Sequence, residues 1–357
     1  MKVAFFGSSL VSAYWNGAAT YYRGMIRALH DLGFDVTFYE PDAYERQQHR
    51  DIPDPPWASV VVFDATVAAL DRVLSAARQA DVVVKASGVG VFDRELERAV
   101  IDRRSGSLAV FWDVDAPATL DRLAGNPDDP FHDLIPKYDL ILTYGGGEPV
   151  CRSYRSFGAR QCVPVYNALD TSTHFPVAGD ARFAGDLAFL GNRLPDREAR
   201  VEEFFLRPAA ALPTRRFVLG GSGWGDKPLP HNIRYTGHVF THEHNAFNCS
   251  PMAVLNVSRE SMARYGFSPA TRVFEAAGAA ACLITDSWEG LETFLEPGYE
   301  VLAARNGQDV ADHLSRLTPS LARKIGAAAR ERVCASHTYA HRAAQVARLL
   351  QGQTVTA

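Results

Sequence analysis

The densest chemistry in the chain lies between residues 268 and 292. Ser268-Pro-Ala-Thr-Arg272-Val-Phe-Glu275-Ala-Ala-Gly278 reads as a helix N-terminus in which Pro269, lacking an N–H, occupies the first turn and leaves the next amides unpaired. Arg272 and Glu275 stand three apart, on neighbouring positions of that helix. A buried strand at 282–285 follows, and then a glycine-containing loop from Asp286 through Trp288-Glu-Gly-Leu-Glu292. Free amides at the positive end of a helix dipole, a guanidinium and a carboxylate are together what a diphosphate and its ribose require. The expectation is a nucleotide-diphosphate site to which Ser268, Pro269, Arg272, Glu275 and Glu292 contribute. The plain alternative is an Arg272–Glu275 ion pair and nothing more.

Other donor-side candidates also follow strands. The apolar run 187–190 leads into Gly191-Asn192-Arg193 and Arg197, and the run 217–219 leads into Gly220-Gly-Ser-Gly-Trp-Gly225. Arginines at such turns can clamp phosphate oxygens, and a flat base can lie on the glycine-rich backbone at Gly221. A dinucleotide fingerprint needs G-x-G-x-x-G, but Gly221-Ser-Gly223-Trp-Gly225-Asp226 puts Asp226 where the last glycine belongs, which argues against a dehydrogenase. Arg259 follows the strand 254–257 as a phosphate or sugar ligand, or else pairs with Glu260 on the surface. His238, His242 and His244 lack the helical spacing and carboxylate partner of a zinc site, so no metal is expected. The 237–239 backbone, with His238, is expected to meet a nucleobase edge.

The first half of the chain offers a second kind of chemistry. After the apolar run 108–112, Asp113 and Asp115 stand two apart, on one face of an extended chain. Such a pairing can raise one pKa and give a carboxylate that takes a proton from a hydroxyl or amine, with Asp115 favoured over Asp113. A helix cap or an ion pair with Arg122 is the other reading. Gly7-Ser8-Ser9 and Asn16-Gly17-Ala-Ala-Thr20 follow the first strand, where small residues admit a ligand and Thr20 is placed to cap a helix. Gly145-Gly146-Gly147-Glu148 follows the run 140–143 and is either a second lining segment or a flexible loop.

The elements that must position these residues alternate in type. Apolar runs of strand length at 2–6, 36–39, 82–85, 108–112, 140–143 and 161–165 are separated by helical patterns, among them 66–80 and 93–103. Turn formers without periodicity at 167–179 mark a linker, after which strands recur at 187–190, 217–219, 233–236, 254–257 and 282–285. The expected fold class is α/β, with two Rossmann-like parallel-sheet domains facing across a cleft, the GT-B architecture. The domains are placed at 1–170 for the acceptor and 171–336 for the donor. A helical tail at 337–357 packs back toward the first. A length of 357 residues suits two cores. At 47% hydrophobic, 22% charged and a net charge of -4, the chain has no basic excess for nucleic acid. The start Met-Lys-Val-Ala-Phe-Phe is too short for a signal segment or span, and five unpaired-looking cysteines suit a reducing, cytoplasmic location.

Taken in order, these residues resemble the bacterial glycosyltransferases similar to the CgeB spore-maturation protein. The likeness runs through Asn16-Gly17 with Ala19, Thr20, Tyr22 and Arg23, through Asp113-Val-Asp115 with Pro117, and through Gly191 with Asp196-Arg197. It continues with His238 and His244, Leu255-Asn-Val-Ser-Arg259, Ser268-Pro269, Arg272-Val-Phe-Glu275 and Trp288-Glu-Gly-Leu-Glu292, and closes at Pro297-Gly298-Tyr-Glu300. The resemblance implies a GT-B enzyme without an obligatory metal or cofactor, whose C-terminal domain holds a nucleotide-diphosphate sugar, a UDP-sugar foremost. It implies that Glu275 binds the donor ribose. Many retaining relatives of the wider GT-B group carry another glutamate eight residues earlier, where this chain has Phe267, so the stereochemical outcome is left open. Ala18 and Ala116 stand where relatives carry histidine and threonine. The acceptor and the oligomeric state are open, and a sugar-nucleotide epimerase or a non-catalytic binding protein are the other classes the same site would serve.

Overall fold

The computed structural model describes residues 1–14, 16–102 and 106–352. Arg103, at the end of the helical stretch expected at 93–103, and residues 353–357 of the tail lie outside the described residues. The chain forms two compact units, one of residues 1–167 with 339–357 and the other of residues 168–338.

In the first unit the strands are β1 (Lys2–Phe6), β2 (Asp35–Asp42), β3 (Ser59–Asp64), β4 (Val82–Ala86), β5 (Leu108–Asp113), β6 (Leu140–Thr143) and β7 (Cys162–Pro164). They make one parallel sheet in the order β3-β2-β1-β4-β5-β6-β7, with Val3 beside both Val36 and Val82. Position in the order explains composition. Central β4 is Val-Val-Val-Lys-Ala and buried at all five residues, as a strand covered on both faces must be. Edge strand β3 buries only Phe63. The helix Tyr339–Leu350 belongs to this unit and buries Ala343, Val346 and Leu349. The ring of Tyr339 lies against Gly24 of the helix Ala19–Asp31, where any side chain would overlap it.

The second unit repeats the pattern with β8 (Leu187–Leu190), β9 (Phe217–Gly220), β10 (Ile233–Gly237), β11 (Ala253–Asn256), β12 (Leu283–Asp286) and β13 (Leu302–Ala304), in the parallel order β10-β9-β8-β11-β12-β13. Its core gathers Leu187, Phe189, Phe205, Phe217, Leu255 and Ile284 around the sheet. In both units the order reverses once, between β1 and β4 and between β8 and β11. At such a reversal the two flanking loops leave the carboxyl edge in opposite directions and open a crevice for a ligand. The first crevice is bordered by the segments after β1 and β4, the second by the segments after β8 and β11. Among the described residues no helix is long and apolar enough to cross a membrane.

Candidate active site

In the second unit the crevice is built around cations. The segment after β8 brings Arg197, on the helix Pro195–Val201, back over Gly191. A Cβ on Gly191 would sit 2.8 Å from Arg197 Nη2 and 3.0 Å from the Phe189 ring, so the glycine gives the guanidinium its seat. Arg197 donates to the Asn192 carbonyl at 2.7 Å and lies over Phe189 at 5.7 Å. Its buried Nε has no hydrogen-bond partner among the described residues. Burial, with Arg272 and Arg259 nearby, pushes the Arg197 pKa down against the opposing charge of Asp196. Two further guanidiniums therefore act on Arg197 here. Arg259 binds Asp196 at 2.6 Å rather than relying on Glu260, which pairs with Arg200. Arg200, which sequence reasoning passed over, also donates to Asp286 at 2.6 Å and to the Ser258 carbonyl at 3.0 Å. Asp286 is fully buried and accepts from the Ser258 amide as well, so it ties the end of β12 to the segment after β11 and does not face a ligand.

Arg272 and Glu275 lie on the helix Thr271–Gly278. The helix begins two residues later than expected: Ala270 is the N-cap residue, and buried Pro269 precedes it outside the first turn. Buried Ser268 turns its hydroxyl onto the Gly266 carbonyl at 2.8 Å and shapes the approach to the helix. Phe267 between them has φ 44, a left-handed value rare for a bulky side chain, and its ring rests on Gly290 of the loop after β12. Glu292 in that loop is exposed.

Glu275 is the unusual group. Its side chain is only 13% exposed, yet its nearest ionic neighbours are Arg272 Nη1 at 3.6 Å and His174 Nε2 at 3.9 Å, both beyond hydrogen-bond distance. Burial opposes its ionisation, but Arg272, His174 and His244 outweigh that and hold the carboxyl below its ordinary range. Arg272 also reaches Asn248 Oδ1 at 3.2 Å, and the buried Asn248 Nδ2 has no partner among the described residues. A largely buried carboxylate with no hydrogen bond among the described residues, beside the unpartnered Asn248 Nδ2, is a site shaped for polar groups from outside the chain.

His174 was missed because it falls in the segment read as a linker. That segment folds against the helix Thr271–Gly278, with Leu169 and the His174 carbonyl at Gly278. The histidines near 240 separate: His244 joins His174 and Glu275, while His238 and His242 are exposed and pack on Phe240. His238 also borders a cavity of about 410 Å³ with Arg234, Tyr235 and Glu243. Gly221, at φ 115, lies so close to the Gly191 carbonyl that no side chain fits between them.

In the first unit Asp113 ends β5 with no exposed surface. It accepts from Ser87 Oγ at 2.7 Å, Tyr154 Oη at 2.5 Å, Thr119 Oγ1 at 3.1 Å and the Asp115 amide at 3.0 Å. Those four donors fix the carboxylate at the end of β5, three of them on Oδ1 and one on Oδ2. Asp115 is half-buried at the N-cap of the helix Ala116–Gly125 without using its side chain as the cap. Arg122 turns instead to Glu97 and Asp129. Ser8 donates to Asn16 Oδ1 at 2.9 Å, and Asn16 donates to the Ser9 and Ser12 carbonyls, so the pair folds the segment after β1. Gly17 is exposed with open space around it. Thr20 is not a cap, because the helix starts at Ala19 with Ala18 at the N-cap. Gly146, at φ 83, starts the helix Gly147–Ser156 with its Cα against Val150, so the triple glycine is a helix start.

Comparison with known proteins bears on this geometry. The chain is similar along its length to sucrose-phosphate synthase from Thermosynechococcus elongatus, at 12% identity and TM-score 0.70, covering 99% of this chain and 98% of that one. It is similar to Anabaena HepE solved with UDP-glucose, at 13% identity and TM-score 0.67, covering 99% and 100%. It is also similar to T4 phage BGT solved with UDP-glucose, at 11% identity and TM-score 0.62, covering 98% and 99%. No curated protein sequence matches. The chain has the GT-B fold, and its residues 197–348 match the family described as glycosyl transferase-like.

Proposed function

We propose that this protein is a glycosyltransferase of the CgeB-like kind, which moves a sugar from a nucleotide-diphosphate donor, a UDP-sugar foremost, to a hydroxyl or amine acceptor. The observation that carries the reading is Glu275, a largely buried carboxylate without a hydrogen bond among the described residues, beside Arg272, which with Arg259 also acts on Arg197. A ribose diol supplies O–H donors to Glu275, and a diphosphate supplies an acceptor to the Arg197 Nε, which has none among the described residues, and further charge-assisted contacts to Arg259 and Arg272. The match of residues 197–348 to a glycosyl transferase-like family supports the same assignment.

In this reading the acceptor oxygen or nitrogen forms the new bond to the anomeric carbon as the bond from that carbon to the diphosphate oxygen breaks. Negative charge grows on the departing diphosphate, where Arg197, Arg272 and the first amides of the helix Thr271–Gly278 stabilise it without a metal. The acceptor proton goes to Asp115, whose backbone Asp113 fixes through the Asp115 amide. The segments holding Ser8, Asn16 and Gly146 border the acceptor. Thermal unfolding against UDP, GDP, dTDP and CDP and their sugars tests the reading. A ligand at a hundred times its Kd adds about 2.7 kcal/mol. Selective stabilisation by one nucleotide, lost in Glu275→Ala and Arg272→Ala, is expected, and no response to any nucleotide refutes the assignment. Conversion of the donor alone would indicate an epimerase, and binding without turnover of any acceptor a non-catalytic protein.

A further inference from the structure

His174, His244 and Glu275 come from three separate stretches, yet one ligand atom of each lies within 4.8 Å of the other two. The arrangement of the imidazoles is specific. His174 Nδ1 is engaged with Thr173 Oγ1 at 2.9 Å, which leaves Nε2 facing Glu275 Oε1. A neutral imidazole that commits one N–H to the protein keeps its second nitrogen as a lone-pair donor, and metal-bound histidines are oriented in this way. The Glu275 carboxylate has no hydrogen bond among the described residues, its nearest ionic neighbours standing at 3.6 and 3.9 Å.

We propose that His174, His244 and Glu275 bind a zinc-class divalent cation in the nucleotide-free protein, with water completing the shell, and that this ion and a nucleotide exclude each other at Glu275. Two nitrogens and one carboxylate oxygen form the ligand set of open zinc sites. Magnesium and calcium demand six or more oxygens and find one side-chain carboxylate here. Arg272, 3.6 Å from Glu275, weighs against any dication and keeps the affinity moderate. The ion has no part in sugar transfer: it occupies the carboxylate that the ribose needs and therefore inhibits. The exclusion rests on the ribose role given to Glu275 above, whereas the metal site itself does not.

Titration calorimetry with Zn2+ on the full chain, beside the visible spectrum with Co2+ as a stand-in, tests the site. The expected results are one ion per chain, Co2+ bands of a low-coordinate nitrogen–oxygen site, no heat with Mg2+, and binding weakened at least about tenfold in His174→Gln and in His244→Gln. Circular dichroism and thermal unfolding confirm that each variant is folded. Full Zn2+ affinity in both folded variants, or no Zn2+ binding by the unaltered protein, overturns the site. A nucleotide that stabilises the protein should raise the apparent Zn2+ Kd in proportion to its concentration. If Zn2+ binds as expected and no nucleotide binds, the function assigned above fails and the metal site stands. If both bind without competition, the exclusion is overturned.

Discussion

Replacing Glu275 with alanine separates two jobs that the structure could assign to this carboxylate. If Glu275 accepts the ribose hydroxyls, its loss removes charge-assisted hydrogen bonds worth about 1.5–3 kcal/mol, which corresponds to UDP binding weakened roughly tenfold to a hundredfold. The diphosphate is held by other groups, so inorganic pyrophosphate should bind the variant as well as the parent. It should bind somewhat better, because Arg272 loses the anion 3.6 Å away and keeps its bond to Asn248. Calorimetry with UDP, pyrophosphate and the 2′-deoxy nucleotide on parent and variant supplies the comparison. Deoxy and ribo nucleotides should converge in affinity in the variant. An equal loss for UDP and pyrophosphate would refute the reasoning, since Glu275 would then only be organising the arginines around it.

Asp113→Asn should cost about 2–4 kcal/mol in urea unfolding, because four donors lose a carboxylate acceptor in the core, whereas Asp115→Asn should abolish turnover with the donor still bound. Gly221→Ala should destabilise by about 1–3 kcal/mol through its left-handed backbone and its overlap with the Gly191 carbonyl, while Gly17→Ala, with open space around it, should be neutral in the same melts. His244 titrates at about 4 in the folded chain against an ordinary 6.5, so the unfolded chain holds the extra proton between those values and stability falls as pH drops through them. Unfolding at pH 7 and pH 4.5 should show the parent losing roughly 2–3 kcal/mol more than His244→Asn.

What the sequence disclosed and what it hid divide along physical lines. β4 and β5 announce themselves because central parallel strands are continuous apolar runs. β3, half-exposed and preceded by prolines, and β13, three residues long, carry no such run and were not foreseen. Arg272 and Glu275 are legible because they are close in sequence on one helix. His174 was not, because its place beside Glu275 depends on a structureless segment folding against that helix. The positions of Thr20 and Pro269 were misjudged by one or two residues, since capping residues mark the neighbourhood of a helix end more reliably than its first residue. For Asp113, spacing shows that two acids share a strand end, but not the hydroxyls of Ser87, Thr119 and Tyr154 that hold its carboxylate, because they come from elsewhere in the chain.

The helix Tyr339–Leu350 completes the first unit but is encoded on the far side of the second. During synthesis residues 168–338 are a continuous stretch that can finish folding as soon as it leaves the ribosome. Residues 1–167, although made first, must wait with Tyr21 and Gly24 lacking the Tyr339 ring that covers them and with the Pro164 carbonyl lacking Gln345. The usual order, in which the N-terminal domain matures first, is therefore reversed at its last step. The unfinished apolar face of the earlier unit is the surface on which a nascent chain of this protein would most need a chaperone.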